Sequence, residues 1–113
     1  MINTLIIGGG GIRGFCFLGV LNKMSEHIDF KQFKNMIGCS VGAIIVLLLS
    51  LNYSPKQINE VLVNYDFNEI SLNINETTID NMLNNFGFFD TDKLINIINV
   101  FLSMKCDSNI TFK

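Results

Sequence analysis

Four consecutive glycines, Gly8–Gly11, directly follow the β-branched and apolar run Thr4–Ile7. Such a run reads as a short buried strand, and a stretch of backbone without side chains at its carboxyl end requires a tight turn there. From Phe15 to about Glu26 the apolar residues Phe17, Leu18, Val20, Leu21 and Met24 recur at helical spacing, which predicts a helix packed against the sheet. A second short strand is expected around Asn35–Gly38. After it, Val41–Leu51 is long enough for a helix and apolar on every side, so near-complete burial is expected of it. Strand, helix, strand in this order makes a unit whose two strands are parallel neighbours roughly 5 Å apart, with both carboxyl ends on one sheet edge. The expected class is α/β, a layered fold with a parallel strand–helix–strand start.

Downstream, Ser54 and Pro55 supply a cap and a first-turn proline for a helix running to about Tyr65, with Ile58, Val61, Leu62 and Tyr65 on its inner face. A short helix is expected over Thr78–Phe86, stopped by Gly87. Asp90 or Thr91 then caps another, in which Leu94, Ile98, Phe101 and Leu102 share a face, and Ile110–Phe112 reads as the start of an extended segment. The chain of 113 residues has room for one domain, and at 49% hydrophobic content it has the apolar material for a core.

Composition removes some functions. A net charge of −2 with 16% charged residues provides no basic field for nucleic acid, and the aromatic residues are not interleaved with Lys or Arg. Three cysteines, Cys16, Cys39 and Cys106, are an odd number without CxxC spacing, so a reducing, cytoplasmic or intracellular setting is expected. The run 41–51 is too short to span a bilayer, and the amino terminus lacks the pattern of a secretory signal, so no transmembrane segment is expected.

The chemistry-bearing residues fall at the two strand ends. Gly38-Cys39-Ser40-Val41-Gly42 fits the G-x-S-x-G pattern and lies where that pattern needs to lie, between a strand and a helix. A serine there occupies a sharp turn at a helix amino end, where N–H groups and the helix dipole favour developing negative charge. The loop Gly8–Gly14 has unhindered backbone that can turn several N–H groups towards one point, as an oxyanion requires; losing one such donor typically costs roughly two to four kcal/mol of barrier. Arg13 either adds charge to that loop or braces it. Because both loops leave the same sheet edge, they are expected to meet.

Other readings of these residues compete. Ser40 can be an ordinary helix N-cap. Gly9-x-Gly11-x-x-Gly14 also satisfies the dinucleotide-binding fingerprint, although the second strand runs into Gly-Cys-Ser-Val-Gly and offers no acidic residue for a ribose. No Gly-Lys-Ser/Thr follows the glycines, which sets the nucleotide-hydrolase loop aside. His27 follows the first helix and belongs near the opposite edge from Ser40, and Cys39 reads as a small buried neighbour.

The stretches LIIGGGGIRGFCFLGVL and IGCSVGAII, supported by GFFDTDKL and ITFK, resemble the amino-terminal part of a patatin-like phospholipase domain along nearly the whole chain. The resemblance implies a serine–aspartate dyad that hydrolyses acyl esters of phospholipids, galactolipids or triacylglycerols, with no cofactor and, in most members, no metal. By that resemblance Ser40 is the nucleophile, Gly9, Gly10 and Gly11 supply oxyanion-hole amides, Arg13 is the loop's basic residue, and Gly38 and Gly42 bracket the nucleophile elbow. It implies a lipid or acyl-ester substrate, met peripherally at a membrane surface. Two departures stand out. Gly8 replaces the aspartate or serine that often precedes the glycines. The family's aspartate lies in an Asp-Gly-Gly or Asp-Gly-Ala motif, and none of Asp29, Asp66, Asp80, Asp90, Asp92 or Asp107 is followed by glycine. The catalytic aspartate is therefore unassigned, and residues 1–113 are expected to form the amino-terminal portion of the domain, lacking the segment that carries it. A catalytically inactive lipid-binding remnant is the alternative reading, and a dinucleotide-binding module the third.

Overall fold

A computed structural model describes residues 2–64, 79–80, 83–84 and 92–106. The chain divides into two compact units, Met1–Tyr65 and Asp66–Lys113. In the first, strands β1 (Thr4–Ile7) and β2 (Asn35–Gly38) pair in parallel, with Thr4 opposite Asn35 and Ile7 opposite Gly38. Lys34 and Asn35 N–H groups donate to Asn3 O at one end, and Cys39 N–H donates to Ile7 O at 3.1 Å at the other. In-register pairing makes both strands finish at the same level, so the residues after Ile7 and after Gly38 leave from one sheet edge, as the crossover rule requires.

The pleat sends Leu5, Ile7, Met36 and Gly38 to one face and Thr4, Ile6, Asn35 and Ile37 to the other. Helix α2 (Val41–Ser50) packs on both strands, and Ile7 is buried. The opposite face is open: Ile6 and Ile37, register partners, are 69% and 53% exposed. The strand expected to be buried is therefore covered on one face and open on the other. An apolar run specifies which residues alternate, not how many layers cover them.

The same distinction applies to α2. Val41, Gly42, Ile45, Leu48 and Leu49 are buried, Ile44, Val46 and Leu47 half-buried, and Ala43 and Ser50 exposed, so its burial is less complete than its composition suggests. Helix α1 (Cys16–Met24) follows a 3-10 turn over Gly11–Phe15 and ends before the expected Glu26, where Ser25, His27 and Ile28 close turns onto Leu21 and Met24 carbonyls. It buries Leu18 and Leu21, and its main neighbour is helix α3 (Pro55–Val63), not the sheet. The third helix begins as expected. Ser54 Oγ accepts from Gln57 N–H at 3.2 Å, Gln57 Oε1 accepts from Ser54 N–H at 2.9 Å, and Pro55 occupies the first turn. Ile58 and Leu62 are its buried positions, while Tyr65 lies outside the described residues. Leu18, Ile45, Leu48 and Ile58 are fully enclosed, each contributing about 1.5–3 kcal/mol of hydrophobic stabilisation.

In the second unit, helix α4 (Asp92–Lys105) buries Ile97 and Phe101. Leu94 is exposed, and Ile98 and Leu102 are half-buried, so the inner stripe is rotated from the expected one. This helix carries apolar residues around much of its circumference, and spacing alone selects no unique face. Of the helix expected over residues 78–86, residues 79–80 and 83–84 are helical; Gly87, the caps Asp90 and Thr91, and the extended segment at 110–112 lie outside the described residues. Among the described residues no helix is long and apolar enough to cross a membrane.

Two substitutions of opposite sign test this account in urea denaturation. Ser54→Ala removes the reciprocal cap and is expected to cost about 1 kcal/mol. Gly19→Ala in α1 meets no atom within 4 Å of its new methyl group and should gain about 0.5–1 kcal/mol.

Candidate functional site

Only Cys39 and Ser40 separate the end of β2 from the start of α2, so the chain must turn within two residues. Gly42 N–H donates to Cys39 O at 2.9 Å and Ala43 N–H to Ser40 O at 2.8 Å, closing the turn. Ser40 absorbs the change of direction at φ 54° and ψ −127°, a conformation that L side chains rarely adopt and that costs of order 1–3 kcal/mol. An N-cap residue ordinarily has extended dihedrals and an oxygen turned back onto the helix. Ser40 has neither: its side chain makes no capping hydrogen bond, and the residue is exposed. The ordinary N-cap reading therefore fails.

The bracketing glycines are required by close approach. A Cβ at Gly42 would stand 2.3 Å from Ile7 O and 2.6 Å from Gly8 O; one at Gly38 would stand 2.4 Å from Gly42 O and 2.5 Å from Ala43 N. The first turn of α2 thus lies backbone against backbone over the end of β1. Immediately beyond, Gly9 passes alongside Ser40, where a Cβ on Gly9 would be 3.4 Å from Ser40 Cβ and 3.6 Å from Cys39 O. Gly10 is extended, Gly11 has φ +54°, and the chain winds from there into the 3-10 turn that carries Arg13. Arg13 is exposed, its carbonyl accepts the Cys16 N–H, and its guanidinium forms no ion pair among the described residues.

One contact was not legible beforehand. Gly14 is buried, and a Cβ there would overlap Val41 Cγ1 at 2.2 Å, so Val41 locks the far end of the glycine loop to the elbow. The motif leaves the residue after its serine unspecified; the only signal is a small residue at Gly14 facing a branched one. Cys39 is exposed, correcting the buried reading, because it sits at the outer tip of the turn.

Other candidates stand elsewhere. Met24 and Ile28 share a cavity of about 330 Å³ with Ile2, Thr4, Leu5 and Phe33 at the starting end of β1, so His27, between them in the chain, belongs to the edge away from Ser40. Asp29 follows at once and caps the turn Phe30–Gln32, accepting from Lys31 N–H at 3.0 Å. Asp80 and Asp92 are exposed residues of the second unit; Asp66, Asp90 and Asp107 lie outside the described residues. β2 presents no acidic side chain of the kind a dinucleotide site uses at its second strand. Among the described residues no three His, Cys, Asp or Glu side chains gather to hold a metal ion. What the edge does assemble is a hydroxyl on a sharp turn beside the backbone of a glycine loop, which has the makings of a nucleophile next to an anion-stabilising site.

The family model described as Patatin-like phospholipase matches residues 5–112. The chain is 32% identical over 111 residues to a probable lipid hydrolase of Invertebrate iridescent virus 6, covering 97% of this chain and 37% of that protein. It is 30% identical over 94 residues to an uncharacterized protein of Acanthamoeba polyphaga mimivirus, covering 82% of this chain and 31% of that protein. It is also 39% identical over 59 residues to a cUMP-AMP-activated phospholipase of Escherichia coli, covering 50% of this chain and 18% of that protein. The chain thus spans about a third of the length of the first two relatives. No solved structure matches.

The elbow predicts two mutational effects of opposite sign, read from denaturant midpoints. Gly42→Ala drives a methyl group into two carbonyl oxygens and should cost about 3 kcal/mol or more, the upper end for overpacked sites. Ser40→Gly relieves the positive φ and should gain about 1 kcal/mol after the entropy cost of the added glycine.

Proposed function

The chain belongs to the patatin-like phospholipase family, and we propose that it carries the nucleophile and oxyanion loop of a lipid acyl hydrolase. In this reading Ser40 Oγ attacks the carbonyl carbon of an acyl ester, and the carbonyl electron pair moves onto oxygen. N–H groups of Gly9, Gly10 and Gly11 receive that oxyanion, and Arg13 holds positive charge on the same loop. Collapse expels the alcohol, which leaves with the proton that Ser40 gave up. Water then attacks the acyl-serine by the same route and releases the fatty acid.

The observation that carries this reading is the position of Gly9 beside a Ser40 held in a strained, non-capping conformation. Stored strain at an exposed hydroxyl is expected at a functional turn and has no stabilising use. The names of the viral lipid hydrolase and the bacterial phospholipase support the substrate class. The proton acceptor is the open part of the cycle: no aspartate in this chain precedes a glycine, whereas the family places its aspartate in such a motif. The second reading is a lipid-binding protein without turnover.

A fluorophosphonate probe separates the two. Covalent labelling mapped to Ser40 by peptide mass spectrometry, and absent from Ser40→Ala, is the expected result; a folded, family-length protein that takes up no label overturns the nucleophile assignment. Ester turnover abolished by Ser40→Ala rejects the lipid-binding reading.

A further inference from the structure

The glycine loop is anchored at its ends. Ile7 is buried and so is Gly14, whereas the six residues between them, Gly8–Arg13, are all exposed. Apart from chain neighbours, nothing lies within 4 Å of the position a Cβ would take at Gly8 or Gly11. Four of the six residues are glycines, which have the most backbone freedom to lose on ordering, so the N–H groups of this stretch are aimed only as well as its ends are fixed. Pairing of β1 with β2 fixes the first end. The second rests on one side chain: the three heavy atoms nearest the Cβ position of Gly14 are Cγ1, Cβ and Cγ2 of Val41. Gly10 leans on Gly14 in turn, since a Cβ at Gly10 would stand 3.1 Å from Gly14 N and 3.2 Å from Gly14 Cα.

Val41 is suited to carry position from one loop to the other. It is buried, it opens α2, and it directly follows Ser40. A branched Cβ leaves valine one strongly preferred rotamer in a helix, so its methyl groups are rigidly placed relative to the serine's backbone. Oxyanion donors act only if they are fixed before the reaction, and a misplacement of about 1 Å costs on the order of a hundredfold in rate.

We propose that Val41 is a positioning residue: by clasping Gly14, and through it Gly10, it sets where the glycine-loop N–H groups stand relative to Ser40. The chemical consequence rests on the acyl-hydrolase reading, but the clasp itself needs no chemistry at Ser40.

Two readouts test it. Backbone 15N relaxation of the 113-residue chain reports the order of the Gly10 and Gly11 amides, and fluorophosphonate labelling is resolved into a saturation constant and a limiting rate. Val41→Ala should lower the order parameters from about 0.85 to below about 0.6, and the limiting rate about tenfold or more, with the saturation constant within about twofold. Val41→Thr keeps both branches and should stay near wild type. Ile58→Val in α3, which loosens the core elsewhere, should change neither readout. Gly14→Ala drives its methyl group into Val41 and should impair both readouts. Combined with Val41→Ala, that methyl group meets the remaining Cβ at 3.4 Å, an ordinary contact, so the double variant should return to within about threefold of the wild-type rate, which two independent losses cannot do. Wild-type order and rate in Val41→Ala, or a double variant no better than Gly14→Ala, overturns the proposal. So does unfolding of both Val41→Ala and the double variant, which would make Val41 core packing alone. If Val41→Ala by itself fails to fold, the double variant against Gly14→Ala decides. If the wild-type chain takes up no label, the order parameters decide the clasp, so the positioning and the Ser40 chemistry fail separately.

Discussion

The contact on which the rest of this structure depends is a backbone one: the first turn of α2, at Gly42, lying over the carbonyl oxygens of Ile7 and Gly8. No side chain larger than hydrogen fits there. Because it is so close, the start of α2 sits at the end of β1 and not merely at the end of β2, and the glycine loop is brought against Ser40. Val41 against Gly14 fixes the same two segments a second time, from side chain to backbone. Burial of Ile45, Leu48 and Leu49 further along α2 supplies the stabilisation that holds the strained serine in place.

What was legible in the sequence is what local chemistry determines. The parallel pair, its shared edge, the turn between Gly38 and Gly42 and the cap at Ser54 with its first-turn proline each follow from a few adjacent residue types, and each is present. What was not legible is what covers a face. Periodicity groups Leu5 with Ile7, and Ile6 with Thr4, yet both groups are apolar enough to be core, and only packing decides that Ile6 stays open. The same ambiguity misplaced the partner of α1 and the inner stripe of α4. Cys39 read as buried because free cysteines usually are; its place at the tip of a two-residue turn overrides that habit.

The site divides along the same line. Ser40 as a cap and Ser40 as a nucleophile are indistinguishable in sequence, since both put serine before a helix. Dihedrals remove the first reading: a cap relaxes the backbone, whereas this residue strains it and leaves the hydroxyl unused by the helix. Val41 shows the reverse case, a residue that no motif specifies but that the geometry makes a fixed point between the two halves of the site.

The pairing of β1 with β2 also bears on how the molecule reaches this state. Thr4 and Asn35 are 31 residues apart, so closing that loop opposes pairing by about 3 kcal/mol of chain entropy before a ladder of four residues can return it. The α2–α3 pair, with its short connection and local cap, has no such cost and can form early. Ser40 then meets Gly9 only when the long loop has closed. Helical content would report on an assembly that has not yet built its edge, and the approach of Gly9 to Ser40 would be the signal that the topology is complete.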